Sequence, residues 1–321
     1  MFNRKYLPIL VTFGLFAFLF AAGSFRYTGF FSFQVFLNLL IDNAFLLITA
    51  VGMTFVILSG GIDLSVGSVI ALTTMISASL VQEHGWPPGA VIPLVLVLGS
   101  GFGWLMGAII HYFKIQPFIV TLAGMFLARG LCYVISIDTI TIDNAFYTKV
   151  AQTKIHLWSG TSISISVIIA LAVVAVALYL AHYTRFGRSV YAIGGSEQSA
   201  LLMGLPVART QILIYTLSGF CSSLAGVVFT FYMLSGYGLH AVGMELDTIA
   251  AVVIGGTLLT GGVGFVAGTV FGVLIQGLIQ TIISFEGTLS SWWTKIVIGM
   301  LLFLFILLQR LLSARRQSVK A

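Results

Sequence analysis

Charge is what this chain has least of. Only 7% of its 321 residues are Asp, Glu, Lys or Arg, against roughly a quarter in a soluble domain, while 59% are hydrophobic and the mean hydropathy is +1.10. A soluble globular fold is excluded. Cysteine is equally scarce. Cys132 and Cys221 both fall inside apolar runs, which argues against a disulfide framework or a metal site and for packing as small apolar residues. No Gly-x-x-x-x-Gly-Lys-[Ser/Thr] phosphate loop, His-x-x-x-His pair or Gly-x-Ser-x-Gly elbow occurs. His84, His111, His156, His182 and His240 are scattered without metal-ligand spacing. No linker or polar stretch is long enough for a second domain, so residues 1–321 are expected to form one membrane domain without enzyme activity, metal or cofactor.

What is present is a succession of apolar runs near 20 residues, the length of a helix crossing the hydrocarbon of a bilayer. The runs predict an all-α polytopic membrane protein with about ten spans: 7–24, 35–58, 64–82, 91–112, 118–136, 163–183, 211–234, 246–260, 265–284 and 294–312. The eighth is short. The first follows Arg4 and Lys5 without a cleavage site, and is expected to be retained.

The net charge of +6 reflects membrane topology rather than nucleic-acid binding. Arg4, Lys5, Lys114, Arg185, Arg188, Arg209, Arg310, Arg315, Arg316 and Lys320 fall on one side of the ten-span arrangement. The positive-inside rule assigns that side, and both termini, to the cytoplasm.

Three regions carry possible chemistry. The first is Ser59-Gly60-Gly61-Ile62-Asp63-Leu64-Ser65-Val66-Gly67-Ser68, a glycine pair and a carboxylate between two apolar runs. Such irregular backbone at membrane depth is tolerated where protein or a water-filled cavity covers it. Asp63 either caps the following helix or contacts substrate or a coupling ion; Asp42, near the outer end of its span, is either a second such carboxylate or simply hydrated, and Arg129 is a possible counter-charge.

The second region faintly repeats the first. Phe55-Val56-Ile57-Leu58-Ser59-Gly60-Gly61 lies over Ala251-Val252-Val253-Ile254-Gly255-Gly256 at an offset of 195, and Gly264, Gly268 and Gly272 then recur every four residues, as on one packed helix face. The third is the inside segment at about 184–210. Ser196 to Met203 fits a short amphipathic helix with Glu197 in its first turn, stopped by Gly204 and Pro206. It could dock on a soluble partner or lie against anionic lipid.

Gly-Met-Thr-Phe-Val-Ile-Leu-Ser-Gly-Gly-Ile-Asp-Leu-Ser-Val-Gly-Ser from Gly52, Phe-Gly-Arg-x-x-Tyr-Ala-Ile-Gly-Gly from Phe186 and Leu-Asp-x-Ile-Ala-Ala-Val-Val-Ile-Gly-Gly-Thr from Leu246 resemble the ribose-type permeases of bacterial ABC sugar importers. The likeness is greatest to the galactofuranose-importing branch. Pro117 to Leu122 fits the same family. The resemblance implies an inner-membrane subunit that passes a monosaccharide to the cytoplasm, pairs with a second, unlike permease, receives sugar from a periplasmic binding protein and is driven by a separate cytoplasmic ATPase.

Arg185, Gly187, Arg188, Gly194, Gly195 and Glu197 would then couple to that ATPase. Gly60, Gly61, Asp63 and Ser65 would lie near the inner part of the pathway, with Gly255, Gly256, Gly264, Gly268 and Gly272 packing around it. Asn38, Asn43, Gln276 and Gln280 are amides within spans that could replace water on sugar hydroxyls or bond helix to helix. The alternative is an ion-coupled secondary transporter using Asp63.

Overall fold

The computed structural model describes residues 7–156, 160–290 and 292–318. Arg4, Lys5 and Lys320, on which the placement of the termini partly rests, lie outside the described residues. The helices in chain order are α1 (Leu7–Arg26), α2 (Phe33–Asp42), α3 (Ala44–Leu58), α4 (Val66–Ala78), α5 (Pro88–Phe113), α6 (Pro117–Ile135), α7 (Ala145–Gln152), α8 (Ile165–Tyr183), α9 (Arg185–Gly195), α10 (Glu197–Leu202), α11 (Val207–Met233), α12 (Met244–Ile254), α13 (Val266–Glu286) and α14 (Trp292–Ser318). A π-helical turn, Ser79–Glu83, extends α4. Four short strands complete the order: β1 (Ile140–Thr141), β2 (Lys154–His156), β3 (Ser162–Ser164) and β4 (Ser235–Gly236).

The chain is an all-α polytopic membrane protein. Among the described residues seven helices or helix-plus-turn spans are long and apolar enough to cross a bilayer, and the pair α2 and α3 makes an eighth if taken as one span. That pair corrects the expectation of an unbroken span over 35–58: the axis bends by 61° at Asn43. The expected span 246–260 also shortens. As 11 residues, α12 covers about 16 Å at ~1.5 Å per residue, half a bilayer, because Gly255 and Gly256 end it. Pro88 and Pro117 occupy first helical positions, where a missing N–H costs nothing and the fixed φ suits the helix.

The outer shell and the core differ in burial. The apolar windows of α1, α5, α6 and α8 bury 28% or less, whereas those of α4, α11 and α13 bury 67% or more. α3 lies deepest, with every residue from Leu46 to Leu58 buried. α5 approaches α11 through a face of glycines at four-residue spacing, Gly99, Gly103 and Gly107; a Cβ at Gly107 would lie 2.9 Å from the Cα of Ile212. This is a second close-packed glycine face, beyond the one expected after Gly255.

Two short strand pairs involve the connection between α6 and α8. β1 pairs antiparallel with β4 (Ile140 opposite Gly236), and β2 with β3 (Ile155 opposite Ile163). Gln34 on α2 clamps that hairpin: its Oε1 accepts from Ser162 N at 2.9 Å and its Nε2 donates to Ser162 O at 3.3 Å.

Candidate functional site

The three glycine-bearing regions meet at one junction. α3 ends at Leu58 with the chain reversing through Gly60, whose φ of +85° favours glycine. Gly61 N donates to Val56 O at 3.0 Å and Gly60 N to Ile57 O at 2.9 Å, the paired bonds of a Schellman cap. α12 ends the same way. Thr257 N donates to Val252 O at 3.2 Å, Gly256 N to Val253 O at 2.9 Å, and Gly256 has φ +93°. The caps therefore match Gly60 with Gly256 rather than Gly255, correcting the expected register by one residue.

Beyond their caps the two copies differ. α4 begins six residues after Gly60 (Val66), α13 ten after Gly256 (Val266). The four additional residues enlarge a compact loop, closed by Leu258 N donating to Val263 O at 2.9 Å, that carries Gly261 and Gly262 back onto the first copy. Gly262 N donates to Leu58 O at 2.8 Å. A Cβ on Gly261 would lie 3.0 Å from the Gly60 Cα and from the Gly194 carbonyl; one on Gly262 would lie 2.9 Å from Gly195 N. Gly194 itself sits against the Leu58 carbonyl and Gly262 N with no room for a side chain. Tyr191, also on α9, donates from its hydroxyl to Gly264 O at 2.9 Å.

Gly264 thus precedes α13 rather than sharing its face, which corrects the predicted three-glycine stripe. Gly268 and Gly272 do lie on the helix: Gly268 packs on the Gly255 backbone, Gly272 against Ala251 O.

The inside segment forms two helices. Thr184 caps α9 by accepting from Gly187 N at 3.2 Å, and Ser196 caps α10 by accepting from Ser199 N at 3.2 Å. α10 matches the predicted short helix, with Gly204 at φ +75° beyond it; α9 is an additional helix that the sequence pattern does not announce. Gly187 lies buried against the Ala181 carbonyl, while Arg185 and Arg188 project from the exposed side of α9. Glu197 is exposed, and its carboxylate is 3.9 Å from Lys114, a surface pair of small energetic weight.

Asp63 is completely buried. Its Oδ1 accepts from Ser65 N at 2.9 Å and Ser65 Oγ at 2.6 Å, and its Oδ2 from Ser218 Oγ of α11 at 2.7 Å. It therefore fastens the turn before α4 to α11 and receives a backbone N–H at the helix boundary, Ser65, but none within α4 itself. The Tyr215 hydroxyl, buried beside Gly61, has no hydrogen-bond partner among the described residues. Arg129 is not a counter-charge to either carboxylate by hydrogen bond or ion pair; its guanidinium donates to the carbonyls of Gly238 at 2.6 Å and His240 at 2.7 Å. It fixes the connection between α11 and α12 instead.

The four amides separate. Asn43, buried at the α2–α3 break, donates to Leu39 O at 2.9 Å and packs on Gly277. Gln276 donates to Asp247 O at 2.9 Å, and the Asp247 carboxylate in turn accepts from Lys295 at 2.6 Å. Asn38 and Gln280 are exposed on the surface of the chain. Among the described residues no three His, Cys, Asp or Glu side chains cluster to hold a metal.

Comparison with known proteins bears on this arrangement. Residues 35–306 match the family model described as a branched-chain amino acid transport system / permease component. The chain is 53% identical to the inner membrane ABC transporter permease protein YjfF of Escherichia coli K12, over 98% of this chain and 96% of that one. It is 41% identical to the fructose import permease protein FruG of Bifidobacterium longum (97% and 93% covered) and 40% identical to the ribose import permease protein RbsC of Haemophilus influenzae (89% and 88%). No solved structure matches. With the family model spanning the Asn43 break, both glycine caps and the α9 junction, the chain belongs to the family of transport-system permease components and is a multi-pass inner-membrane protein.

Proposed function

We propose that this chain is the permease subunit of an ABC importer that carries a monosaccharide inward, with galactofuranose as the sugar. The observation that carries the reading is the junction at which Gly194 and Gly195 of α9 meet Leu58, Gly60 and the Gly261–Gly262 turn. A cytoplasmic helix pair packed directly on the break between two spanning segments can transmit a push from a soluble ATPase to the membrane core. Arg185, Arg188 and Glu197 face outward on that pair and are the docking side chains; Gly187, Gly194 and Gly195 set how closely it sits.

The substrate class follows from the relatives, two of which are named as fructose and ribose import permeases. Both sugars, like galactofuranose, have neutral five-membered ring forms. A periplasmic binding protein delivers the sugar, and a second permease, unlike this one, completes the pathway. Gly60, Gly61, Asp63 and Ser65 form its inner rim; Asn38, Asn43, Gln276 and Gln280 belong to its wall or its supports. ATP-driven closure of the partner ATPase moves α9 and tilts the bundle between two accesses.

The test is to purify the chain from its native membrane in mild detergent and identify what accompanies it. Recovery of an ATPase and a second permease, with ATP hydrolysis raised by sugar-loaded binding protein, supports the reading. A chain that is isolated alone and moves sugar down an ion gradient supports the secondary-transporter alternative, with Asp63 as its coupling group.

A further inference from the structure

A polar stripe runs down α2. Gln34, Asn38 and Asp42 recur at four-residue spacing and share one face; Gln34 Nε2 donates to Asn38 Oδ1 at 2.8 Å. The opposite face, Leu37, Leu39 and Leu40, is buried. Asn38 and Asp42 are both exposed, and Asp42 belongs to the helix pair α2 and α3 that together is long and apolar enough to cross a bilayer. An exposed carboxylate within such a pair faces water or another polypeptide, not lipid.

At the foot of the stripe the chain bends at Asn43 and meets a row of rings. Tyr232 of α11, 53% exposed, stands there beside Phe45, three residues on from Asp42. Its ring centroid is 5.9 Å from that of Phe45, which stands edge-on to Phe229 at 4.8 Å; Phe229 in turn meets His240 at 5.2 Å. An amide, a carboxylate and a phenol beside apolar ring faces form a site for a neutral polyhydroxyl ring: hydroxyls donate to the carboxylate, and the C–H face lies on the aromatics. A cation needs more oxygen ligands than one carboxylate and one amide supply. Arg129 donates to the carbonyls of Gly238 and His240, at the far end of the row of rings, and none of Asn38, Asp42 and Tyr232 is a cation that would draw an anion.

We propose that Asn38, Asp42 and Tyr232 form a saccharide subsite in the outer half of the pathway, with Asp42 accepting sugar hydroxyls and Tyr232 and Phe45 supporting the ring. This rests on the reading of the chain as a sugar permease. The assay uses the intact importer in proteoliposomes with labelled galactofuranose, ribose and fructose, each with its loaded binding protein, and records sugar delivered and ATP hydrolysed.

In Asp42→Asn and Tyr232→Leu, sugar delivered per ATP is expected to fall about tenfold, the scale of one net hydrogen bond. Hydrolysis stimulated by binding protein is retained, and Tyr232→Phe keeps most of the delivery. General structural damage would lower both quantities together. Wild-type transport with Asp42→Asn and Tyr232→Leu indistinguishable from it overturns the subsite alone. Failure of the wild-type assembly to carry any of the three sugars overturns the permease reading and the subsite with it.

Discussion

The amide of Gly262 donates to the carbonyl of Leu58 at 2.8 Å, closing the last turn of α3 with a residue from the loop before α13. That bond satisfies a helix-terminal carbonyl that would otherwise need water. It also fixes the floor on which Gly194 rests. Under the proposed coupling, a push on α9 would reach the ends of α3 and α12 through this contact surface.

Gly194→Val places a branched side chain where the Leu58 carbonyl and Gly262 amide already touch the glycine. A Cβ there meets backbone, so the junction must open at a cost at or above the ~1–3 kcal/mol of ordinary overpacking, while the apolar runs that drive membrane insertion are unchanged. ATP hydrolysis and sugar uptake in proteoliposomes should become unlinked, with uptake falling at least about tenfold for each ~1.4 kcal/mol of lost coupling. Uptake at the wild-type rate would remove Gly194 from the coupling path.

Arg188→Glu tests the same path from outside. The side chain is exposed, so stability should change by no more than about 0.5 kcal/mol while recovery of the ATPase in pull-down falls. Unchanged recovery and uptake would show that the exposed face of α9 does not carry the contact.

Asp63 discriminates between the two readings of function. Its oxygens receive three hydrogen bonds, from Ser65 N, Ser65 Oγ and Ser218 Oγ. Asparagine can still accept both Ser65 bonds and reverse the Ser218 bond, so Asp63→Asn should retain most ATP-driven uptake. Asp63→Ala leaves those donors unpaired and should destabilise by about 1–3 kcal/mol per donor left unpaired. Abolished transport in a well-folded Asp63→Asn protein would favour ion coupling.

Arg129→Leu releases the carbonyls of Gly238 and His240, each held by a charge-assisted bond worth about 1.5–3 kcal/mol. Hydrogen exchange over residues 236–243 should accelerate while α6 itself stays protected. Equal protection in the variant would mean that β4 and the contact of Gly236 with α4 hold the loop without help.

Much of this architecture is legible in the chain. Apolar run length locates seven of the ten expected spans, and an eighth as the bent pair α2 and α3, because hydropathy depends on composition alone; 246–260 and 294–312 are not among them in the described residues. The Ser59 to Ser68 break is visible as glycines and a carboxylate among aliphatics. The bend at Asn43 is not, since Ile41-Asp42-Asn43-Ala44 contains neither glycine nor proline, and tertiary packing against Gly277 decides it. The repeat emerges from the sequence one residue out of register. Matching letters aligns the first glycines of each pair, while the hydrogen bonds of the two caps align the residues with positive φ. Arg129 suggests ion pairing because an arginine in a span needs an acceptor; backbone carbonyls from a distant loop supply it, and no local pattern announces those. The meeting of the α9 glycines with both caps lies beyond the sequence for the same reason, as it joins segments far apart in the chain.

The decisive measurement is sugar uptake into liposomes containing the chain with the proposed ATPase and companion permease, compared with liposomes containing the chain alone, with ATP present or absent at the ATPase face and binding protein on the other side. Uptake that requires the ATPase and ATP, and disappears in Gly194→Val while hydrolysis continues, is the predicted result. Uptake by the chain alone, driven by an ion gradient and indifferent to ATP, would contradict it.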